Sequence, residues 1–238
     1  MPQGAHIVTS FEDELRALDN KIAEMGGLAE RQLDRSYQAL NSRDTVLAEQ
    51  AIASDRVIDK HERDIEAQAI AMIGRRQPLA QDLRQITAAM KISGDLERIG
   101  DLAKNIAKRA LAVAAEPRPK QLMGGLSHMT EIAQRQVKDV LDAFAMRDAA
   151  KAEVVWRRDD QIDAMYNSLF RELLTYMMED PRNIGLCTHL LFAAKNLERV
   201  GDHATNIAET TYYLATGSQL AEDRPKGDDS SSTSIPIL

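Results

Sequence analysis

The sequence predicts an all-α protein made of two tandem, homologous three-helix bundles that arose by internal duplication. Three observations support this fold class: a composition poor in strand and turn formers, apolar residues at helical spacing, and a repeat of about 100 residues. Of 238 residues only 4% are aromatic, and the chain has 12 glycines and 7 prolines. Such a composition favours helices over strands and tight turns.

Apolar residues recur at three- and four-residue steps and predict three helices in each half of the chain. In the first half we expect helices at about residues 10–40, 45–74 and 79–115. In the second half we expect them at about residues 121–146, 149–179 and 182–216. Ser10 with Asp13 has the form of a capping box, Asp44 and Asp148 have the form of N-caps, and Gly26 with its neighbouring glycine interrupts the first pattern.

The duplication is visible residue by residue. A shift of 104 positions places Asp44 on Asp148 and Asp55 on Asp159. In the third helices a shift of 101 positions aligns residues 95–107 with 196–208, which are identical at 9 of 13 positions. We therefore predict three segments: a first bundle at 8–115, a second bundle at 121–217, and a disordered C-terminal tail at 218–238.

Charge and composition exclude several classes of protein. With 30 Lys and Arg against 37 Asp and Glu, the net charge of −7 leaves no broad basic face for nucleic acid. The single Cys187 has no intramolecular partner for a disulfide, and the first residues lack the pattern of a signal peptide. The longest charge-free apolar run, 184–194, has 11 residues, well below the ~20 that span a bilayer. We expect a cytoplasmic protein.

Paired carboxylates are the most informative chemical feature. Acidic residues recur at i and i+4 on the third helices, at matching positions of both halves, and further pairs lie on the second helices. Like charges at this spacing repel by roughly 0.2–0.5 kcal/mol unless a cation lies between them, and oxygen-only sites suit Mg²⁺, Mn²⁺ or iron. The predicted metal ligands are Glu97, Asp101, Glu198, Asp202, Asp55, Asp59, Asp159 and Asp163.

Other interpretations stand beside this one. The same carboxylates are also typical of a solvated helix face. Gly100 and Gly201 lie inside predicted helices, where each costs about 1 kcal/mol relative to alanine, so either a close helix crossing or a ligand is expected there. No nucleophile–base set, glycine-rich phosphate loop or Glu-x-x-His pair is present, so we predict no catalytic residue and no enzyme.

The duplicated segments resemble a known family. Leu-Glu-Arg-Ile-Gly-Asp at 96–101, Leu-Glu-Arg-Val-Gly-Asp at 197–202 and Leu-Thr-Tyr-Met-Met-Glu-Asp-Pro-Arg at 174–182 are similar to the PhoU family of bacterial phosphate transport accessory proteins. The likeness covers roughly residues 8–217. It implies metal binding by the Glu-x-x-x-Asp motifs together with acids of the neighbouring helices.

The resemblance also implies a function. PhoU proteins are negative regulators of the phosphate-starvation response and of phosphate uptake. They couple the ATPase subunit of the phosphate ABC transporter to a sensor histidine kinase, so that contact with the membrane is only indirect, and many are homodimers. Two alternatives use the same carboxylates: a metal-dependent helical hydrolase, and a metal-storage or scaffold bundle.

Overall fold

The computed structural model describes residues 3–116 and 120–220, with side chains described for 11–116 and 123–220. Within these ranges the chain forms helices and no strands, which confirms the predicted all-α fold class. The residues of the predicted tail from 221 onward lie outside the described part. The helices are α1 (Gln3–Ser42), α2 (Thr45–Arg76), α3 (Ala80–Ala112), α4 (Lys120–Met146), α5 (Ala149–Arg157), α6 (Asp159–Glu179) and α7 (Ile184–Thr216), with a short 3-10 turn at Pro181–Asn183.

The predicted start of the first helix is wrong. The helix already begins at Gln3, so Ser10 lies within it and is not an N-cap. As predicted, the helix continues through Gly26, where the missing side chain serves packing. A Cβ at this position would lie 2.5 Å from Cδ2 of Leu141 on α4. The glycine therefore lets α1 approach the second unit closely.

One predicted helix of the second unit is two helices. The segment expected at 149–179 divides at Arg158, which has φ −91° and ψ 6°. Its carbonyl accepts a hydrogen bond from Nε2 of Gln136, at 3.3 Å. The equivalent α2 of the first unit is continuous, and there the matching glutamine, Gln32, donates to the carbonyl of Ala51.

The predicted caps are confirmed at duplicated positions. The side chain of Asp44 accepts a hydrogen bond from the backbone N–H of Leu47 at 2.9 Å, and Asp148 accepts one from Lys151 at 3.0 Å. Each bond satisfies a donor that the first turn of a helix leaves free. At the other end of the chain, Gly217 closes α7 in a left-handed conformation with φ 77°, as expected for a C-cap glycine.

Helices α3 and α7 form the centre of the molecule. Each packs against the other helices of its own unit, and the two helices pack against each other in antiparallel orientation, since Arg109 meets His189 and Asp95 meets His203. Their buried faces carry small and apolar residues at helical spacing, and burial of each leucine- or isoleucine-sized side chain stabilises the fold by about 1.5–3 kcal/mol. A polar contact joins them: Oδ1 of Asp95 lies 2.9 Å from Nδ1 of His203 and accepts from Asn206 at 3.2 Å. No helix of the described chain is both long and apolar enough to span a bilayer.

Candidate functional site

The first unit brings two of the predicted carboxylates together around a lysine. Asp55 of α2 is buried and Asp101 of α3 is half-buried. Nζ of Lys104 lies 2.5 Å from Oδ2 of Asp55 and 2.7 Å from Oδ1 of Asp101. A salt bridge therefore links α2 to α3 at the point where the sequence predicted a cation.

This lysine is held firmly in its charged form. Burial acts to lower the pKa of Lys104, but hydrogen bonds to Asp101 and Asp55 outweigh it, so the pKa lies above its ordinary value. The remaining two predicted ligands of this unit are Glu97 on α3 and Asp59 on α2. Burial, followed by the charge of Asp101, raises the pKa of Glu97.

Gln32 orients the buried Asp55 and explains why residue 100 is a glycine. Its Nε2 donates to Oδ1 of Asp55 at 3.3 Å, while its Oε1 faces α3. A Cβ at Gly100 would lie 3.2 Å from that Oε1 and 3.0 Å from Cδ1 of Ile58. Of the two explanations offered for this glycine, close packing between helices is the one that the structure supports.

The second unit arranges the matching residues differently. Asp159 and Asp163 of α6 and Glu198 of α7 are buried. Asp159 accepts a hydrogen bond from a neutral group, since Oγ1 of Thr205 donates to its Oδ1 at 2.9 Å. Lys195 supplies a cation to Glu198: its Nζ lies 3.0 Å from Oε1 of Glu198.

Among the carboxylates of the site, Glu198 has the pKa that is shifted furthest from its ordinary value. Burial raises its pKa to about 7, against the lowering by Lys195, and the charges of Asp202 and Asp163 raise it further. Its Oε2 is buried and has no hydrogen-bond partner. A buried, unpaired carboxylate oxygen is costly, which makes this atom the natural place for an added proton or cation.

The two units differ in how well they suit a metal ion. Nowhere in the described residues do three or more His, Cys, Asp or Glu side chains gather closely enough to hold a metal. The Asp55–Asp101 pair of the first unit already holds the ammonium group of Lys104, so it does not fit a metal ion. The second unit leaves one buried oxygen, Oε2 of Glu198, without a hydrogen-bond partner and open to a cation. The metal ligands therefore stay a prediction.

The lysines and the threonine that complete these clusters were not predicted from the sequence. A signal was available, because Lys104 and Thr205 stand at one of the four positions where the aligned third helices differ. Lys195 gave no comparable signal, since its matching position in the first unit is Gly94, one residue before the aligned segment.

A separate cavity of about 620 Å³ lies between α3, α5 and α7. Trp156, Glu209 and Tyr213 contribute to its wall, and Nε1 of Trp156 donates to Oε1 of Glu209 at 3.0 Å. None of the predicted metal ligands lines this cavity. The carboxylate clusters therefore remain the candidate site.

Both units match a single family of protein domains. Residues 22–110 and 126–211 each match the PhoU domain. The chain belongs to the PhoU family. The two PhoU matches lie within the two duplicated units, one in α1–α3 and the other in α4–α7.

Curated PhoU relatives match this chain over almost its full length. A phosphate-specific transport system accessory protein PhoU homolog from Rhizobium meliloti (strain 1021) is 56% identical over 229 residues, covering 96% of each chain. A homolog of the same description from Caulobacter vibrioides (strain NA1000 / CB15N) is 48% identical over 223 residues, covering 94% of this chain and 97% of the relative.

Solved PhoU structures share the fold. The crystal structure of PhoU from Pseudomonas aeruginosa superposes with a TM-score of 0.85 at 40% identity, covering 87% of this chain and 100% of that one. The phosphate transport system regulatory protein PhoU from Streptococcus pneumoniae superposes with a TM-score of 0.82 at 30% identity, covering 89% and 100%. The tandem helical bundles of this chain are thus the PhoU fold.

Proposed function

We propose that this protein is a negative regulator of phosphate uptake and of the phosphate-starvation response. The observation that carries the proposal is the 56% identity, over 96% of both chains, to a phosphate-specific transport system accessory protein. A relative described as a phosphate transport system regulatory protein shares the fold over its whole length. The protein then acts as a cytoplasmic adaptor and not as an enzyme.

The proposed partners are the ATPase subunit of the phosphate ABC transporter and the sensor histidine kinase of the phosphate regulon. Long helices suit this role, because their outer faces offer extended surfaces for docking. The adaptor acts as a homodimer and reaches the membrane only through the transporter. It contacts no nucleic acid, in keeping with its net charge of −7.

The test is a phosphate-starvation reporter in phosphate-rich medium, compared between the source bacterium and a strain lacking this chain. We expect the reporter to be switched on in the deletion strain and switched off again by the chain supplied from a plasmid. Labelled phosphate uptake, measured in parallel, is expected to rise in the deletion strain. A reporter that stays off in the deletion would contradict the proposal.

Partner binding needs its own measurement. We expect the tagged chain to retain the purified kinase and the purified ATPase subunit, and light scattering to give the mass of a dimer. Hydrolysis of phosphate esters with added Mg²⁺ or Mn²⁺, abolished by Glu198→Gln, would instead support the hydrolase alternative.

We further propose that the second unit binds a metal ion of the Mg, Mn or Fe type at Glu198, with Asp163 and Asp202 moving toward the ion, since the three side chains do not already form a closed cluster. The support is the buried Glu198 oxygen that has no hydrogen-bond partner, next to two further acids. Elemental analysis of the purified protein is the test. We expect E198Q to lose metal, and the matched first-unit variant E97Q to retain it. Equal metal in wild type and E198Q would contradict the proposal.

A further inference from the structure

Lys104 occupies the position of a bound cation. Its ammonium group lies between a carboxylate of α2 and a carboxylate of α3, 2.5 Å from Asp55 and 2.7 Å from Asp101. The side chain of Asp55 is only 5% exposed. A buried carboxylate is costly to the fold unless a positive charge or hydrogen-bond donors compensate it. Lys104 supplies that charge from within the chain.

The duplication shows that this lysine is particular to the first unit. At the matching position the second unit has Thr205, which gives Asp159 a neutral hydroxyl donor. The second unit's own lysine, Lys195, approaches from the opposite end of the carboxylate stripe and contacts Glu198. Its Nζ also lies 4.9 Å from the ring centroid of Tyr166. The two units thus carry similar carboxylates but place their internal cations differently.

We propose that Lys104 is the permanent cation of the first unit and that it excludes metal ions from the Asp55–Asp101 pair. A divalent ion bound to these two oxygens would lie at about 2.0–2.6 Å from each, which is the space that Nζ occupies. Charge repulsion between the ion and the ammonium group would oppose its entry. The first unit therefore joins α2 to α3 without metal.

The test replaces Lys104 with the residue that the second unit uses. Purified wild-type protein and K104T are stripped of metal and titrated with Mn²⁺, and free Mn²⁺ is followed by electron paramagnetic resonance. We expect K104T to bind one more Mn²⁺ per chain than wild type. K104R keeps the positive charge and serves as the matched control, so it is expected to bind the wild-type number. Equal numbers in wild type and K104T would overturn the proposal, as would a gain in K104R.

Two further measurements locate the gained ion and account for folding. Asp55→Asn in the K104T background is expected to abolish the gain, and an unchanged gain would place the ion elsewhere and overturn the proposal. K104T is expected to melt at a lower temperature than wild type in chelator and to recover with Mn²⁺. A K104T chain that stays unfolded with Mn²⁺ present would also count against the proposal, since a metal ion should replace the ammonium group.

This inference is independent of the proposed signalling function and of metal in the second unit. The experiment measures the difference between K104T and wild type, in which any ion bound near Glu198 cancels. Loss of metal from the second unit in E198Q with an intact K104T gain would therefore support both proposals separately.

Discussion

Arg43 and Arg147 stand 104 residues apart and share a left-handed backbone conformation, with φ of 60° and 54°. Each directly precedes a capping aspartate whose own N–H donates to the preceding helix. Of the two, and within the described residues, Arg147 alone forms a long-range hydrogen bond: its Nη2 lies 2.6 Å from Oδ2 of Asp19 on α1. A duplicated turn thus became part of the junction between the units at one of its two copies.

Glycine at these two positions should have opposite effects on stability. R43G relieves the left-handed strain at an exposed site and is expected to raise the free energy of unfolding by about 0.5–1 kcal/mol. R147G relieves the same strain but removes the bond to Asp19, whose pKa burial raises, and we expect a net loss of about 1 kcal/mol. Urea denaturation followed by circular dichroism measures both. Shifts of the same sign would contradict the role given to Arg147.

Alanine should be tolerated at Gly94 of α3 but not at Gly201 of α7. A Cβ at Gly201 would lie 2.9 Å from both Oε1 of Gln136 and Cγ2 of Ile162, so G201A is expected to cost about 1–3 kcal/mol. A Cβ at Gly94 would meet nothing within 4 Å, so G94A should stabilise the protein by about 0.5–1 kcal/mol. Thermal unfolding of the two variants checks the pair. A G201A variant as stable as wild type would contradict the prediction, because it would show that the neighbouring side chains move aside at little cost.

The stability of the metal-free protein should depend on pH through Glu198. Burial raises the pKa of this group from 4.5 to about 7, so between these values the unfolded chain releases a proton that the folded chain keeps. Stability contributed by this group is therefore full below pH 4.5 and falls as pH rises to 7, by about 3 kcal/mol in total.

Replacing Glu198 with glutamine should remove this dependence. In the presence of a chelator, E198Q is expected to have the same free energy of unfolding as wild type near pH 4 and a higher one at pH 8. Denaturant titrations at a series of pH values measure the difference. E97Q is the matched control, because its side chain is 22% exposed and should show a smaller effect. A wild-type curve parallel to that of E198Q would contradict the prediction.

The duplicated N-caps should contribute equally to their helices. Replacing Asp44 or Asp148 with alanine removes the hydrogen bond that the aspartate side chain accepts from a backbone N–H of the first helical turn. We expect each variant to lose about 1 kcal/mol of stability, and the double variant to lose about twice as much, because the sites are independent. Denaturant midpoints of the three variants test this. Strong non-additivity would indicate that the two turns are coupled.

Helices, caps and the duplication could be predicted from the sequence because they depend on local spacing. The cap at Asp44 needs only a carboxylate three residues before a free N–H, and the repeat is visible by shifting the sequence. The break at Arg158 could not be predicted this way. It is coupled to a hydrogen bond from Gln136, a residue 22 positions away on another helix.

The candidate site shows the same division. The sequence by itself determined that carboxylates recur at i and i+4 on matching helices and therefore need compensation. Only the tertiary structure decided what compensates them: Lys104 for Asp55, and Thr205 for Asp159. The physical reason is that each of these contacts joins two helices. Which side chain reaches a buried carboxylate depends on the distance and register between those helices, and these follow from the packing of the whole bundle.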